Sequence, residues 1–307
     1  MIGREDPFME FGRLDDISGV DWTLPPDDPS CAGVLGGAAG EVDLRIGVAT
    51  WSDSGLVARL GGGARNALGT HARALPANEL NSTFYGDTEE RFARWGSQVP
   101  RGFLFCPKLP SRISHERVLE GADEEMRGFV ERSARLGASC GPLWFALPPF
   151  VGPPAFDVLR AFVERWSGEV DLAVEVREER WFRGRARADL GALLRDNGVT
   201  WILTDTAGRR DAAHMTLTTR QAFVRFVGNG LDPTDSTRLD AWAARIAGWA
   251  RTGLERAFVF LHQRDEAQTI DLAEHLDAAL TREGFPVLGP WREGSGHAPP
   301  CKQLDLF

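Results

Sequence analysis

"LRIGVATW", residues 44–51, is the first of eight short apolar stretches along the chain, and the turn after it decides the fold. A doubly wound dinucleotide-binding sheet would carry G-x-G-x-x-G at the turn after its first strand, and none is present here. Seven similar stretches come later: "ANELNSTFY" (77–85), "GFLFCPKLP" (102–110), "LWFALPP" (143–149), "LAVEVREERW" (172–181), "TWILTDTA" (200–207), "AFVRFVG" (222–228) and "RAFVFLHQ" (256–263). Between them lie segments with the 3.6-residue period of amphipathic helices, such as "TEERFARWGSQV", "EEMRGFVERSARLG", "AFDVLRAFVERWSG" and "LDAWAARIAGWARTG". "TIDLAEHLDAALTREG" comes after the last strand. Eight strand–helix alternations over about 240 residues predict an α/β fold of the (β/α)8, TIM-type barrel class.

Around that core the sequence divides into an N-terminal arm at 1–43, the barrel at 44–290 and a short C-terminal tail at 291–307. Pro25, Pro26 and Pro29 block a regular helix in the arm, which reads either as extended and pinned by Phe11 and Trp22 or as flexible and disordered. The chain has 307 residues, enough to bury a large core without disulfides. Cys31, Cys106, Cys140 and Cys301 lack zinc-like spacing and read as reduced thiols of a cytoplasmic protein. No signal peptide or membrane-spanning run is expected. The net charge of −9 excludes a protein that coats nucleic acid non-specifically, since phosphate binding needs a positive footprint.

In a barrel the working residues lie at the C-terminal ends of strands and in the loops beyond. This rule selects Glu79, Asn81, Thr83 and Tyr85, expected to share one strand face by period two. It also selects Lys108, His115, Glu175, Arg177, Asp205, Arg225, His262 and Gln263. Charged groups inside strands are costly unless paired or used. Glu175–Arg177 alone reads equally well as a structural ion pair, whereas the collection predicts a concave polar site. Lys108, Arg177 and Arg225 favour an anion. Gly228 and Gly230 of "VGNG" fall where barrels hold phosphate on backbone N–H groups. Glu79, Glu175, Asp205 and His262 are alternatively ligands of a divalent metal, or acid and base for hydrolysis. His71, His214, His275 and His297 read as surface or helix residues.

Several of these elements resemble the DUF72, or YecE-like, family, a (β/α)8-type family without a settled activity. "ELNSTFY" is similar to its E-[IV]-N-x-[ST]-F-Y pattern through Glu79, Asn81, Thr83, Phe84 and Tyr85. Phe92, Trp95, Pro100, Phe103, Phe105 and Lys108 meet the family's next segment, and His115 of "ISHER" its I-[ST]-H. Glu175, Arg177 and Trp181 resemble its E-x-R…W element, and Arg225 its R-[FL]-H-G. Ala146 stands where the family has glutamine, and Val227 where it has histidine. The resemblance spans roughly 44–280. It implies the barrel, and Glu79, Asn81, Lys108, His115, Glu175, Arg177 and Arg225 as site residues.

The chain ends in "QLDLF", which resembles the peptide that binds the bacterial DNA polymerase sliding clamp, through Gln303, Leu304, Asp305, Leu306 and Phe307. Burying a leucine and a phenylalanine in a partner's pocket would contribute ~1.5–3 kcal/mol each before ordering costs. The alternative is that the tail packs on its own barrel. The leading expectation is therefore an enzyme, a phosphoester-directed hydrolase, acting on an anionic and phosphate-bearing substrate that includes nucleic-acid-derived ones, and recruited to the clamp. The others are a non-catalytic ligand-binding adaptor, and a sugar-directed isomerase or hydrolase using Glu79 and Glu175.

Overall fold

The computed structural model describes residues 12–38 and 40–294. Its strands are β1 (Asp43–Val48), β2 (Ala77–Leu80), β3 (Leu104–Pro107), β4 (Leu143–Ala146), β5 (Leu172–Glu175), β6 (Thr200–Trp201), β7 (Leu203–Asp205), β8 (Gln221–Val227) and β9 (Arg256–His262). The helices are α1 (Cys31–Leu35), α2 (Ser54–Arg59), α3 (Ala67–Ala74), α4 (Glu89–Ser97), α5 (Asp123–Ser133), α6 (Phe156–Trp166), α7 (Gly184–Asp196), α8 (Pro233–Arg251), α9 (Thr269–Arg282) and α10 (Leu288–Arg292). All eight apolar stretches contain strand, and the one at 200–207 is divided between β6 and β7.

Every strand pairing is parallel. Six strands form one sheet in the order β3-β2-β1-β9-β8-β7, and three form another in the order β4-β5-β6. This is a mixed α/β fold, and its hydrogen bonds do not close into the single eight-stranded sheet expected from the sequence. Two interruptions account for the difference. Between β3 and β4 only the isolated bridges Phe105–Cys140 and Lys108–Trp144 connect the sheets. At Ile202 the chain changes partner: its N–H donates to Val174 O, and the next residue, Leu203, pairs with Val224 of β8.

The strands bury both faces, as a parallel sheet covered by helices requires. One face carries a compact apolar cluster of Ala77, Leu104, Cys106, Trp144, Ala146, Ala173, Ile202, Phe223, Phe258 and Phe260. The other packs against helices. Phe92, Trp95, Met126, Phe129, Phe162 and Trp166 of α4, α5 and α6 lie in one large cluster. Trp242, Ile246, Leu276 and Leu280 of α8 and α9 lie in another. Gly47 is required where β1 passes this core: a Cβ there would stand 2.6 Å from Ala77 O and 2.7 Å from the Phe260 ring.

The described part of the arm lies against the body. Trp22 receives the guanidiniums of Arg210 and Arg238 over its ring at 5.0 and 4.3 Å. Asp28 pairs with Arg187 at 2.9 Å, and Asp27 with Arg245 at 2.6 Å. The arm is not extended throughout, because α1 begins two residues after Pro29, once the prolines have passed. Phe11, Cys301, His297 and the tail peptide fall outside the described residues. Among the described residues no disulfide joins Cys31, Cys106 or Cys140 to one another. Among the described residues no helix is long and apolar enough to cross a membrane.

Candidate functional site

Period-two alternation carries the apolar cluster directly into a polar layer. Two residues beyond Ala77, Cys106, Ala173, Ile202, Phe223 and Phe260 stand Glu79, Lys108, Glu175, Thr204, Arg225 and His262. In a strand, residues two apart share a face. All six are buried, with relative exposures from 0% at Glu79 to 7% at His262.

Arg225 is the hub. Its Nε and Nη2 donate to Glu79 Oε2 and Oε1 at 2.9 and 3.1 Å, and its Nη1 donates to both oxygens of Glu175 at 3.1 and 3.0 Å. Arg177 donates to Glu175 Oε2 through Nε and Nη2 at 3.2 and 3.0 Å. Thr204 Oγ1 donates to Glu175 Oε1 at 2.7 Å, and Asn81 Nδ2 to Glu79 Oε1 at 2.8 Å. Burial alone would raise both carboxyls. Arg177 and Arg225 instead hold Glu175 down to about 2, and Arg225 with His262 holds Glu79 well below the usual carboxylate range. Both are ionised at neutral pH, and the two guanidiniums cancel them. Neither is available as the protonated acid that a glycosidase needs, so the carboxylate-pair reading loses its acid.

Lys108 lies in the same layer, 4% exposed. Its Nζ sits over the Phe84 ring at 4.3 Å and over Trp144 at 5.1 Å. Among the described residues this Nζ makes no hydrogen bond or ion pair. Burial, and then the positive charge of Arg177 and Arg225, push its pKa down to about 7. Thr83 fixes the backbone here, its hydroxyl lying 2.7 Å from Lys108 O and 2.8 Å from Leu80 O and sharing its single proton between the two. His115 lies beyond it in a π-turn, with Nδ1 2.9 Å from Ser114 Oγ and its ring edge-on to Phe84 at 4.8 Å. It therefore meets the Lys108 neighbourhood through a shared aromatic ring. His262 Nε2 lies 3.4 Å from Glu79 Oε2 without hydrogen-bonding geometry, and burial lowers its pKa.

Other expectations are corrected. Asp205 faces away from the layer, having the opposite parity to Thr204. It takes Arg238 Nη2 at 3.0 Å, Trp242 Nε1 at 2.7 Å and Arg210. Gly228 and Gly230 offer no phosphate cradle. Gly228 N–H donates to His262 O, Asn229 N–H to Asp235 and Gly230 N–H to Gln263 Oε1. Tyr85 does not share the face of Glu79, because the strand ends at Leu80 and Asn81–Tyr85 is a 3-10 turn that leaves Tyr85 69% exposed. His71 lies in helix α3, as expected, though buried there; His214 is neither on the surface nor in a helix but buried in a loop, and burial lowers the two to about 4 and about 3. Among the described residues no three His, Cys, Asp or Glu side chains gather as a metal site.

Sequence patterning did not single out Thr204, Trp144 or Glu266. Parity with Ile202 identifies Thr204, and parity with Ala146 identifies Trp144. Glu266 belongs to the loop after β9. Burial, then the nearby charge of Asp53, raise it to about 7, and its Oε2 has no hydrogen-bond partner among the described residues. No periodicity marks it.

Residues 45–294 match the family model described as "Protein of unknown function DUF72". Two curated relatives, both described as "UPF0759 protein YecE", come from Escherichia coli O157:H7 and strain K12. Each is 31% identical over 267 residues, covering 80% of this chain and 95% of the relative. Among solved structures, a DUF72 family protein of Enterococcus faecalis V583 superposes with a TM-score of 0.62 at 18% identity, over 78% of this chain and 98% of that one. One from Thermotoga maritima MSB8 gives 0.60 at 18% identity, over 78% and 99%. These two likenesses concern the fold alone.

Proposed function

The chain belongs to the DUF72 family, and we propose that it is an enzyme that takes a small anionic substrate into the polar layer of a barrel-like strand arrangement, with Lys108 as the group that acts on it. The two sheets serve as eight staves in this reading, with β6 and β7 together forming one. One observation carries the proposal: a buried lysine without an acidic partner beside a cluster whose own charges cancel. A purely structural layer would gain little from an amine whose charge meets only two aromatic faces, because a buried charge without an acidic partner is costly. Perturbed groups of this kind mark functional sites.

The charge balance bears on the substrate. Glu79 and Glu175 offset Arg177 and Arg225, so the layer is neutral when Lys108 is neutral and carries one positive charge when it is protonated. Such a site suits a small anion of one or two charges, a carboxylate or a phosphate monoester, better than a polyanionic strand. Nucleic-acid-derived substrates then enter as small fragments. The C-terminal peptide Gln303–Phe307 would bring the enzyme to the sliding clamp and so raise its local concentration at DNA. The motif itself supports that part of the reading.

Titration calorimetry of the full chain with glycerol 3-phosphate and with small carboxylates tests the site. Lys108→Met is expected to weaken the best of these at least tenfold, a loss of about 1.4 kcal/mol. Equal affinity in both proteins would refute the assignment. Recovery of purified clamp should fall when the chain stops after Pro300, and equal recovery would remove the recruitment step.

A further inference from the structure

Of the 35 lysines and arginines in this chain only two are lysines, Lys108 and Lys302. Arginine fills nearly every position that needs positive charge, including the four guanidiniums buried or half-buried around Glu175 and Asp205. Lysine stands where the side chain is enclosed by the Phe84 and Trp144 rings, with no acceptor for its Nζ among the described residues. What distinguishes lysine from arginine is not charge. A guanidinium is never deprotonated in a protein, whereas an amine can lose its proton and become a nucleophile. A desolvated lysine beside other cations is the environment that favours a free amine. Arg177 and Arg225, both held by Glu175, supply those cations.

We infer that Lys108 forms a covalent imine with a carbonyl-bearing anionic substrate, a 2-oxo acid or a phosphorylated aldehyde. The inference rests on the proposed anion site and adds the reactive group of the ligand to it. In the step, the Nζ lone pair attacks the carbonyl carbon and the carbonyl oxygen takes a proton. The resulting carbinolamine loses its hydroxyl as water, with a second proton from solvent, while nitrogen gives up one of its own. The nitrogen lone pair then forms C=N, so that amine, carbonyl and one net proton become a protonated imine and water. No oxidant, reductant or metal enters. The product carries a fixed positive charge where the amine was neutral, and the substrate's anionic group offsets it.

At pH 7.5 an ordinary lysine is unprotonated in about one molecule in a thousand, while Lys108, pushed down to about 7, is mostly free amine. The scarcity of lysine makes the test clean. The full-length protein is incubated at pH 7.5 with pyruvate, glyoxylate or glyceraldehyde 3-phosphate, reduced with borohydride, and mapped by peptide mass spectrometry. Lys302 and the chain's α-amine serve as internal controls. The expected result is a reduced adduct on Lys108 with at least one probe, at tenfold or greater occupancy over Lys302. Lys108→Arg should abolish that adduct and Lys302→Arg should leave it intact. The wild-type map decides even if Lys108→Arg does not fold. Adducts confined to Lys302 and the α-amine with all three probes overturn the inference. Calorimetry with pyruvate and with lactate, which lacks the carbonyl, separates the two claims. Binding of both without a Lys108 adduct overturns the imine and leaves the anion site standing. Absence of binding by every anion, together with no adduct, overturns both.

Discussion

Replacing Arg225 with methionine keeps much of its length and removes the four hydrogen bonds that join Glu79 to Glu175. The two carboxylates do not suffer equally. Glu175 retains Arg177 and the Thr204 hydroxyl. Glu79 retains only Asn81, at 2.8 Å, and a neutral histidine. Glu79 is 0% exposed, so the variant leaves a buried carboxylate with no cation in contact. Removing one partner of a buried pair costs ~3–5 kcal/mol, and most of that loss falls on Glu79. The same residue sets the sign of the pH dependence. In the wild type Glu79 has a folded-state pKa below its unfolded value, so it contributes stability at neutral pH that is lost as pH falls through the folded pKa. In Arg225→Met the Asn81 hydrogen bond and His262 still oppose burial, but burial is the largest influence and the folded-state pKa rises above the unfolded one. The unfolded chain then holds fewer protons than the folded one above about pH 4.3, and stability falls as pH rises. Urea unfolding at pH 5 and pH 7.5 measures this, with the deficit larger at pH 7.5. Adding Glu79→Gln to Arg225→Met should recover at least half of the loss. A deficit below about 1 kcal/mol at pH 7.5, or the same deficit at both pH values, would refute the account of the hub.

Lys108→Met should be more stable than the wild type at and below pH 7. Its advantage should shrink from pH 7 to pH 10, because over that window the unfolded chain holds the proton that folded Lys108, at about 7, has already released; paired urea titrations across that range check it. Asp205→Asn should destabilise the fold by roughly 3–5 kcal/mol, by leaving Arg238 and Arg210 without their shared carboxylate. It should leave anion affinity at Lys108 within a factor of two, since Asp205 is on the other face of the strand; thermal melting and calorimetry on one preparation report both. Trp22→Ala removes two cation–π contacts worth ~0.5–2 kcal/mol each and should hasten proteolytic cleavage before α1 and lower the melting temperature by about 2–4 °C per kcal/mol lost.

Lys108 and Arg225 occupy one layer by the same geometric rule and face opposite electrostatic circumstances. Arg225 makes four hydrogen bonds to two carboxylates, and they raise its pKa further despite burial. That network leaves Glu79 and Glu175 engaged with guanidiniums and unable to neutralise the amine nearby. Their charge still reaches Lys108, but burial and the two arginines outweigh it. Removing Arg225 would therefore raise the Lys108 pKa as well as destabilise the fold. The guanidinium hub and the reactive amine are in this sense one device.

The strands were legible because each is a short apolar run bounded by turn residues, and the burial they seek is that of a parallel sheet. Glu79, Lys108, Glu175, Arg225 and His262 were legible for a related reason: ionic groups at the end of an apolar run have few roles except pairing or chemistry. Asp205 was misplaced for want of parity. Counted from Ile202 of the apolar cluster, Thr204 falls on the inner face and Asp205 on the helix-facing one, where α8 provides Arg238 and Trp242. Tyr85 failed because alternation was extended past Leu80 into a turn whose residues no longer alternate. Gly228 and Gly230 failed because a glycine-rich turn shows its freedom of shape and not where its N–H groups are already engaged, here on His262 O and Gln263. Glu266 had no sequence mark at all, being set by a loop that folds back toward Asp53 and Glu79. What the sequence concealed is thus of one kind: the direction a side chain takes once a strand has ended, or which of two faces it takes before that. The period-two count from a known core residue recovers the second, and only the fold supplies the first.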